Sequence, residues 1–271
     1  MREFDFYIVP TPIGNLGDIT NRAIEVLKSV DIIACEDSRN TQKLLNHFSI
    51  DTKCLSYHKF NEKERVNQII SLLKSGKKVA LVSDAGTPLF CDPGSVIVDE
   101  LKKEGFSVTS LPGANAVVTF ISQISRETDE FAFVGFLPKS DKQITEIFNK
   151  YKNTDVVFYE SPKRILDTLK LISKEFPDRK VSVGRELTKV FEEVLTDTSD
   201  KMLNHFTQKE EIKGEFVVML HRSIAKSLVS DYDDKIKLLK NKNFSDKDIS
   251  VILSTFFNLN KNDVYDYLIK K

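Results

Sequence analysis

Four short apolar runs, at residues 6–9, 32–35, 79–82 and 108–111, alternate with stretches of helical period. Parallel strands need a crossover of a dozen or more residues, and a helix is the usual one. The alternation therefore predicts a mostly parallel sheet covered by helices. Thr20 predicts an N-cap for a helix with Ala23, Ile24, Leu27 and Val30 on one side. Asn61, with Glu64 three residues on, predicts a capping box without its usual Ser or Thr. The helix that follows buries Val66, Ile69, Ile70 and Leu73 and stops at Gly76. Asp92 and Pro93 open another helix, which stops near Gly105.

The rhythm continues past residue 116, with strands predicted near 131–134, 156–159, 181–183 and 216–220 and helices between them. One helix is expected to begin at Ser161-Pro162, a cap followed by Pro at the first helical position. Residues 191–196 read as a further short strand, so an antiparallel pair and a mixed second sheet are expected. The tail differs. Residues 226–271 hold nine Lys and no Arg or Pro, with apolar clusters at Ile249, Ile252 and Leu253 and at Tyr265, Leu268 and Ile269. Ser245 and Asp248 mark a helix start there. The division read from the sequence is an α/β domain at 1–115, a second α/β domain at 116–223 and a small helical region at 224–271.

With 271 residues, 41% of them hydrophobic, the chain has apolar material for such cores. Its 40 basic and 40 acidic side chains cancel. A protein that grips long nucleic acid usually carries a basic excess, so any RNA contact here is expected to be local. Cys35, Cys54 and Cys91 are far apart and form no CxxC, against a disulfide framework or zinc site. A reducing compartment, the cytoplasm, is expected. The start MREFDFYIVPTP has no sustained apolar run, and no stretch reaches the length of a membrane span. His47, His58, His205 and His221 are scattered, and no metal is expected. Only His58 lies near a candidate functional loop.

Ligands of open parallel sheets sit beyond the carboxyl ends of the strands. Three loops belong at that edge: 10–18 (PTPIGNLGD), 83–88 (SDAGTP) and 112–116 (PGANA). Prolines hold backbone extended, glycines admit close approach, and small side chains leave room for something flat. Asp84 or Thr87 is suited to hold a polar group such as a ribose hydroxyl. Pro and Gly in one loop are ordinary turn punctuation; three such loops at one sheet edge indicate a ligand site. No GxGxxG, GxxxxGK[ST] or HExxH occurs. Composition and spacing reach a small-molecule cleft and stop there.

The segments VPTPIGNLGDIT (9–20), CEDSRNT (35–41), LVSDAGTPLFCDPG (81–94), LPGANAVVT (111–119), VGFLP (134–138), FYESPKRI (158–165), GRELTKVFEE (184–193) and KGEF (213–216) carry a resemblance. In that order they resemble the tetrapyrrole-methylase superfamily and, within it, the ribosomal RNA small-subunit methyltransferase I family. LNKNDVYDYL in the tail resembles that family's short C-terminal helical region. The resemblance implies a two-domain α/β fold and a homodimer. It implies S-adenosylmethionine held in the cleft between the domains, and 2′-O-methylation of a cytidine ribose at the decoding site of 16S ribosomal RNA or the 30S subunit. Relatives that methylate tetrapyrroles have a Gly-rich first loop and a GDP-type second loop, where this chain has TPIGN and DAGTP. The family's third loop usually reads PGPSA; Asn115 stands here in place of a hydroxyl residue. The cofactor contacts implied are Pro12, Ile13, Asp84, Ala85, Gly86, Thr87, Phe90, Asn115, Ala116, Glu160 and Leu187. The first-domain loops would hold the methionine part, and the second domain would cover the adenine.

Methyl transfer to a hydroxyl is dominated by positioning, but a ribose 2′-OH is a poor nucleophile and gains from a proton acceptor. Candidates are Glu36, Asp37, Glu186, Lys213 (if neutral) and Glu215. Each equally suits an ordinary surface ion pair. Arg39, Lys163, Arg164 and Arg185 flank the cleft motifs and suit phosphate contact, and each equally suits a salt bridge to its acidic neighbour. Lys163 and Arg164 are expected in a first helical turn, where cations oppose the dipole, which favours a functional reading. Two other readings remain: a methyltransferase of a small, tetrapyrrole- or diphthamide-like substrate, against which the Arg-bearing motifs count, and a non-catalytic binder of S-adenosylmethionine or RNA.

Overall fold

The computed structural model of the protein describes residues 3–58, 60–91, 95–223, 232–257 and 259–269. Residues 1–221 form one compact unit and 222–271 a second. The first unit holds two five-stranded sheets. Strands β1 (Phe6–Ile8), β2 (Ile32–Cys35), β3 (Lys53–Ser56), β4 (Val79–Val82) and β5 (Val108–Ser110) lie in the order β3-β2-β4-β1-β5, every pair parallel. Alternation along these strands feeds two cores. Tyr7, Val9, Ile33, Cys35, Ala80 and Val82 pack with α1 (Asn21–Ser29) and α2 (Ser38–His47). Phe6, Ile8, Ala34, Val79 and Leu81 pack with α3 (Glu62–Lys74) and α4 (Ser95–Lys103). Both faces are thus covered, as an all-parallel sheet requires.

The second sheet contains β6 (Phe131–Phe136), β7 (Asp155–Glu160), β8 (Lys180–Arg185), β9 (Glu193–Thr198) and β10 (Phe216–Leu220) in the order β6-β7-β10-β8-β9. Only β6 and β7 are parallel, so the sheet is mixed. One face packs on α6 (Asp141–Lys150), α7 (Ile165–Glu175) and α8 (Ser199–Thr207). The other is covered by the short α5 (Ala116–Ile121) through Val117 and Phe120. The second unit contains α9 (Asp233–Asn241), α10 (Asp246–Phe257) and α11 (Lys261–Ile269), with Ile236, Ile249, Leu253, Val264 and Leu268 as its core.

The α/β alternation, parallel first sheet and mixed second sheet agree with the sequence reading. Thr20 caps α1 by accepting from the Ala23 N–H at 3.0 Å. Ser245 and Asp248 bond reciprocally at the start of α10. Other local expectations fail. Asn61 precedes α3 but caps nothing, because its side chain accepts from the His58 N–H at 2.8 Å and donates to the Ser56 carbonyl. Helix α7 starts at Ile165, not at Pro162. Before it, the N–H groups of Arg164 and Ile165 both donate to the Ser161 carbonyl, making a turn. Lys163 thus precedes the helix and Arg164 stands at its N-cap rather than in its first turn, where its cation still opposes the dipole. Tyr265 and Ile269, expected in an apolar cluster, are exposed, and Val264 takes the core position beside Leu268. Strand β3 and helix α2 carry no clear sequence signal. The helix start read at Asp92-Pro93 lies outside the described residues.

Candidate functional site

In the first sheet β1 and β4 are neighbours, and their onward connections run in opposite directions: β1 leads across to β2 and β4 leads across to β5. That is a topological switch point, where the strand ends leave a crevice. The first two loops meet across it. Thr11 and Gly86 exchange two backbone hydrogen bonds of 2.9 Å, and the Thr11 hydroxyl donates to the Ser83 carbonyl. Gly86 has φ +78°, a conformation suited to glycine. The Thr87 hydroxyl donates to the Ala114 carbonyl at 3.0 Å, joining the third loop. Asn115 is the N-cap of α5, accepting from the Val118 N–H. Its replacement of a hydroxyl residue keeps a capping oxygen.

The second sheet closes the crevice. A Cβ added at Gly14 would lie 2.5 Å from Lys189 Cγ and 3.0 Å from the Leu187 carbonyl, so the first loop touches the β8–β9 turn. That turn is strained. Glu186 (φ 51°) and Thr188 (φ 66°) are left-handed, and Leu89 (φ 67°) in the second loop is too. Each costs about 1–2 kcal/mol in a non-glycine residue. The Thr188 N–H donates to Glu192 and the Lys189 N–H to the Glu186 carbonyl, which holds the turn in place. Lys189 Nζ lies 2.8 Å from Glu186 Oε1 and 2.9 Å from Glu215 Oε2. Burial alone would raise the Glu186 carboxyl. The Lys189 and Glu215 N–H bonds and the nearby cations outweigh it and hold the group below the usual carboxylate range.

Between the two sheets lies a cavity of about 400 Å³. Of the residues expected to hold a cofactor, Ile13, Asp84, Ala85, Gly86, Thr87, Phe90, Asn115, Ala116, Glu160 and Leu187 line it. Pro12 instead lines a smaller neighbouring groove with Leu16 and Asn40. Asp84 accepts from the Asp37 N–H and from Asn40 Nδ2, both at 3.2 Å, tying the second loop to the start of α2. Glu160 is buried. It accepts from the Ser161 N–H and the Thr168 hydroxyl, both at 2.8 Å, with Arg164 Nε at 3.6 Å. The charged residues lining the cavity are Glu36, Asp84, Glu160 and Glu215, with no Lys, Arg or His among the described residues. Such a lining favours a cationic guest over a phosphate-bearing one.

Of the five proton-acceptor candidates, Glu36 and Glu215 border the cavity, while Asp37, Glu186 and Lys213 do not. Asp37 caps α2 and pairs with Arg39 at 3.0 Å, and that hydrogen bond holds its carboxyl below the usual range. Lys213 pairs with Glu211 at 2.6 Å, with its side chain 71% exposed. The cations also divide. Arg39 is exposed beside Asp37, and Lys163 is exposed. Arg164 donates to the carbonyls of Leu137 and Pro138, and Arg185 donates to the Lys213 carbonyl, 3.6 Å from Glu193. Sequence reasoning missed Lys189, Tyr159 and Phe136, although all three fall inside the recognised segments. Among the described residues, no three His, Cys, Asp or Glu side chains gather as a metal site. Nor is any helix among them long and apolar enough to cross a membrane.

A family model of tetrapyrrole (corrin/porphyrin) methylases matches residues 5–203. Ribosomal RNA small subunit methyltransferase I of Vibrio cholerae serotype O1 is 39% identical over 269 residues, 96% of this chain and 93% of the relative. The protein of that name from Halalkalibacterium halodurans is 46% identical over 216 residues, 79% and 74% of the two chains. Among solved structures, diphthine synthase superposes with a TM-score of 0.66 at 13% identity, over 80% of this chain and 89% of the other. Cobalt precorrin-4 methyltransferase superposes with a TM-score of 0.59 at 17% identity, over 79% and 93%. These structural likenesses speak to the fold alone. The Vibrio cholerae match extends nearly end to end, and on these sequence matches the chain belongs to the ribosomal RNA small subunit methyltransferase I family, within the tetrapyrrole methylases.

Proposed function

We propose that this chain is an S-adenosylmethionine-dependent methyltransferase that 2′-O-methylates the ribose of a cytidine in small-subunit ribosomal RNA, acting in the cytoplasm as a homodimer on the 30S subunit. The observation that carries this reading is the cavity at the switch point, whose charged lining is four carboxylates, with Glu36 and Asp84 in no ion pair among the described residues. A sulfonium with an α-amino group suits such a lining; a nucleotide pyrophosphate does not. The relatives' names support ribosomal RNA as the substrate.

When bound, the cofactor supplies a methyl group already activated on sulfur. Ile13, the Asp84–Thr87 loop, Asn115 and Ala116 would hold it from the first sheet, and Phe90, Glu160 and Leu187 would enclose it. Gly86, whose added Cβ would meet Ile13 at 3.4 Å, leaves room for close approach. Among the acceptor candidates Glu36 is the best placed. It borders the cavity, and no charged partner for it is found among the described residues, whereas Glu215 is tied to Lys189. Glu36 would take the 2′-OH proton as the bond to the methyl forms. Arg39 and Lys163 would meet phosphates, while Arg164 and Arg185 chiefly hold the loops. The test is transfer of labelled methyl from S-adenosylmethionine to three acceptors: 30S subunits, free small-subunit RNA and a tetrapyrrole. Label in ribose supports the proposal, and label only in the tetrapyrrole defeats it.

A further inference from the structure

Phe136 ends β6 at the rim of the cavity, yet the residue is 63% exposed. Regular alternation would not put it there. Side chains two apart on a strand share a face. Phe133 lies on the face that holds Val157, Val217 and Tyr159, whereas Val134 packs on the opposite one. Phe136 should follow Val134. A bulge reverses the parity: Phe133 pairs with Val157 and Phe136 with Tyr159, so three steps on β6 match two on β7. Gly135 takes φ +67° within this irregularity. Bulges are rare between parallel strands, and they re-aim side chains beside functional sites.

The re-aimed ring completes a run of aromatics from the cavity to the surface. Phe90 stacks on Phe133 at 4.7 Å, Phe133 meets Tyr159 at 5.2 Å, and Tyr159 meets Phe136 at 5.4 Å. Beyond Phe136 an open depression begins, to which Phe136, Pro138, Gln143, Glu146 and Lys150 contribute. The cavity, at about 400 Å³, is near the small end for a ligand cleft. A cofactor that fills it leaves little room for a nucleobase. A nucleotide offering its ribose hydroxyl to the cavity must leave its base at the rim, unstacked from its neighbours and in need of a flat partner.

We propose that Phe136, backed by Tyr159, is the platform on which the base of the target nucleotide stacks, an inference that rests on the RNA-methyltransferase reading above. Stacking on an aromatic ring tolerates any base, so Phe136 sets affinity and register, and base identity is read elsewhere. The test measures KM for unmethylated 30S subunits and calorimetric affinity for S-adenosylhomocysteine in Phe136→Ala, Phe136→Leu and Phe136→Tyr. Loss of the ring should raise KM about fivefold or more in the Ala and Leu variants, with Tyr near wild type. Cofactor affinity should stay within about twofold in all three, which also reports intact folding. A Leu variant equal to wild type would overturn the proposal, because bulk rather than a ring would then suffice. Parallel loss of cofactor affinity would also overturn it and assign the ring to the cofactor's adenine. Wild-type protein that binds S-adenosylhomocysteine but methylates no RNA would defeat the functional reading itself, and this inference with it.

Discussion

Asp84 links the cavity-lining loops to the start of α2, so its replacement separates a binding role from a structural one. Asp84→Ala removes two hydrogen bonds, from the Asp37 N–H and Asn40 Nδ2, both long at 3.2 Å. The residue is exposed, so water replaces what is lost, and the cost to stability is about 1–2 kcal/mol. For a chain of this size that is a fall of about 2–8 °C in melting temperature. Binding should suffer more. If the carboxylate holds a cationic or hydroxyl group of the cofactor, a charged hydrogen bond is lost, and affinity for S-adenosylhomocysteine falls about tenfold or more. Calorimetry and thermal unfolding on the same preparation give both numbers, and Asp84→Asn, which keeps an acceptor oxygen, should fall between. Affinity within twofold of wild type would refute the cofactor role. A melting temperature that collapsed together with the affinity would make Asp84 a structural residue.

Replacing Arg39 and Lys163 together by Ala should reduce the slope of log affinity for 30S subunits against log salt by about 1–2, with cofactor affinity unchanged; an unaltered slope excludes them as phosphate contacts. Arg164→Ala should instead destabilise the fold by about 2–3 kcal/mol in denaturant titration, because it strips buried Glu160 of its countercharge, the cost being moderated by the one-third exposure of Arg164. Burial lowers the His221 imidazole from its ordinary 6.5, with Asp155 opposing and Lys180 and Arg179 adding to the effect. As pH falls through 6.5 the unfolded chain takes up this proton first, so stability is full above that value and declines below it, a slope that His221→Asn should reduce. Sedimentation should give a dimer, and a mass near 30.9 kDa at working concentration would contradict it.

The strands were legible where apolar runs were buried on both sides: β2, β4 and β10 fall where the sequence puts them. Strand β3 was not, because KCLS carries a Lys and a Ser and sits at the sheet edge. Helix α2 was hidden because its start, CEDSRNT, reads as a polar loop, and only the structure shows Asp37 as its cap. The cavity-lining loops stood out through Pro and Gly at strand ends, which is local chemistry. What stayed hidden depends on tertiary position. For Arg164 the sequence offers a phosphate or the acidic neighbour as partner, and only the fold adds the carbonyls of Leu137 and Pro138, more than 20 residues away. Phe136 fell just beyond the strand read at 131–134, since a bulge is a relation between two strands and leaves no mark on one beyond its glycine.

The central claim is that this cavity serves methyl transfer to a ribose of small-subunit RNA. A ribose-methylation map of ribosomal RNA from cells with and without the protein tests it most directly. The account predicts that one 2′-O-methylcytidine disappears from the small-subunit RNA without the protein, that it returns with the wild-type chain, and that it does not return with Asp84→Ala. An identical map in both cells would contradict it.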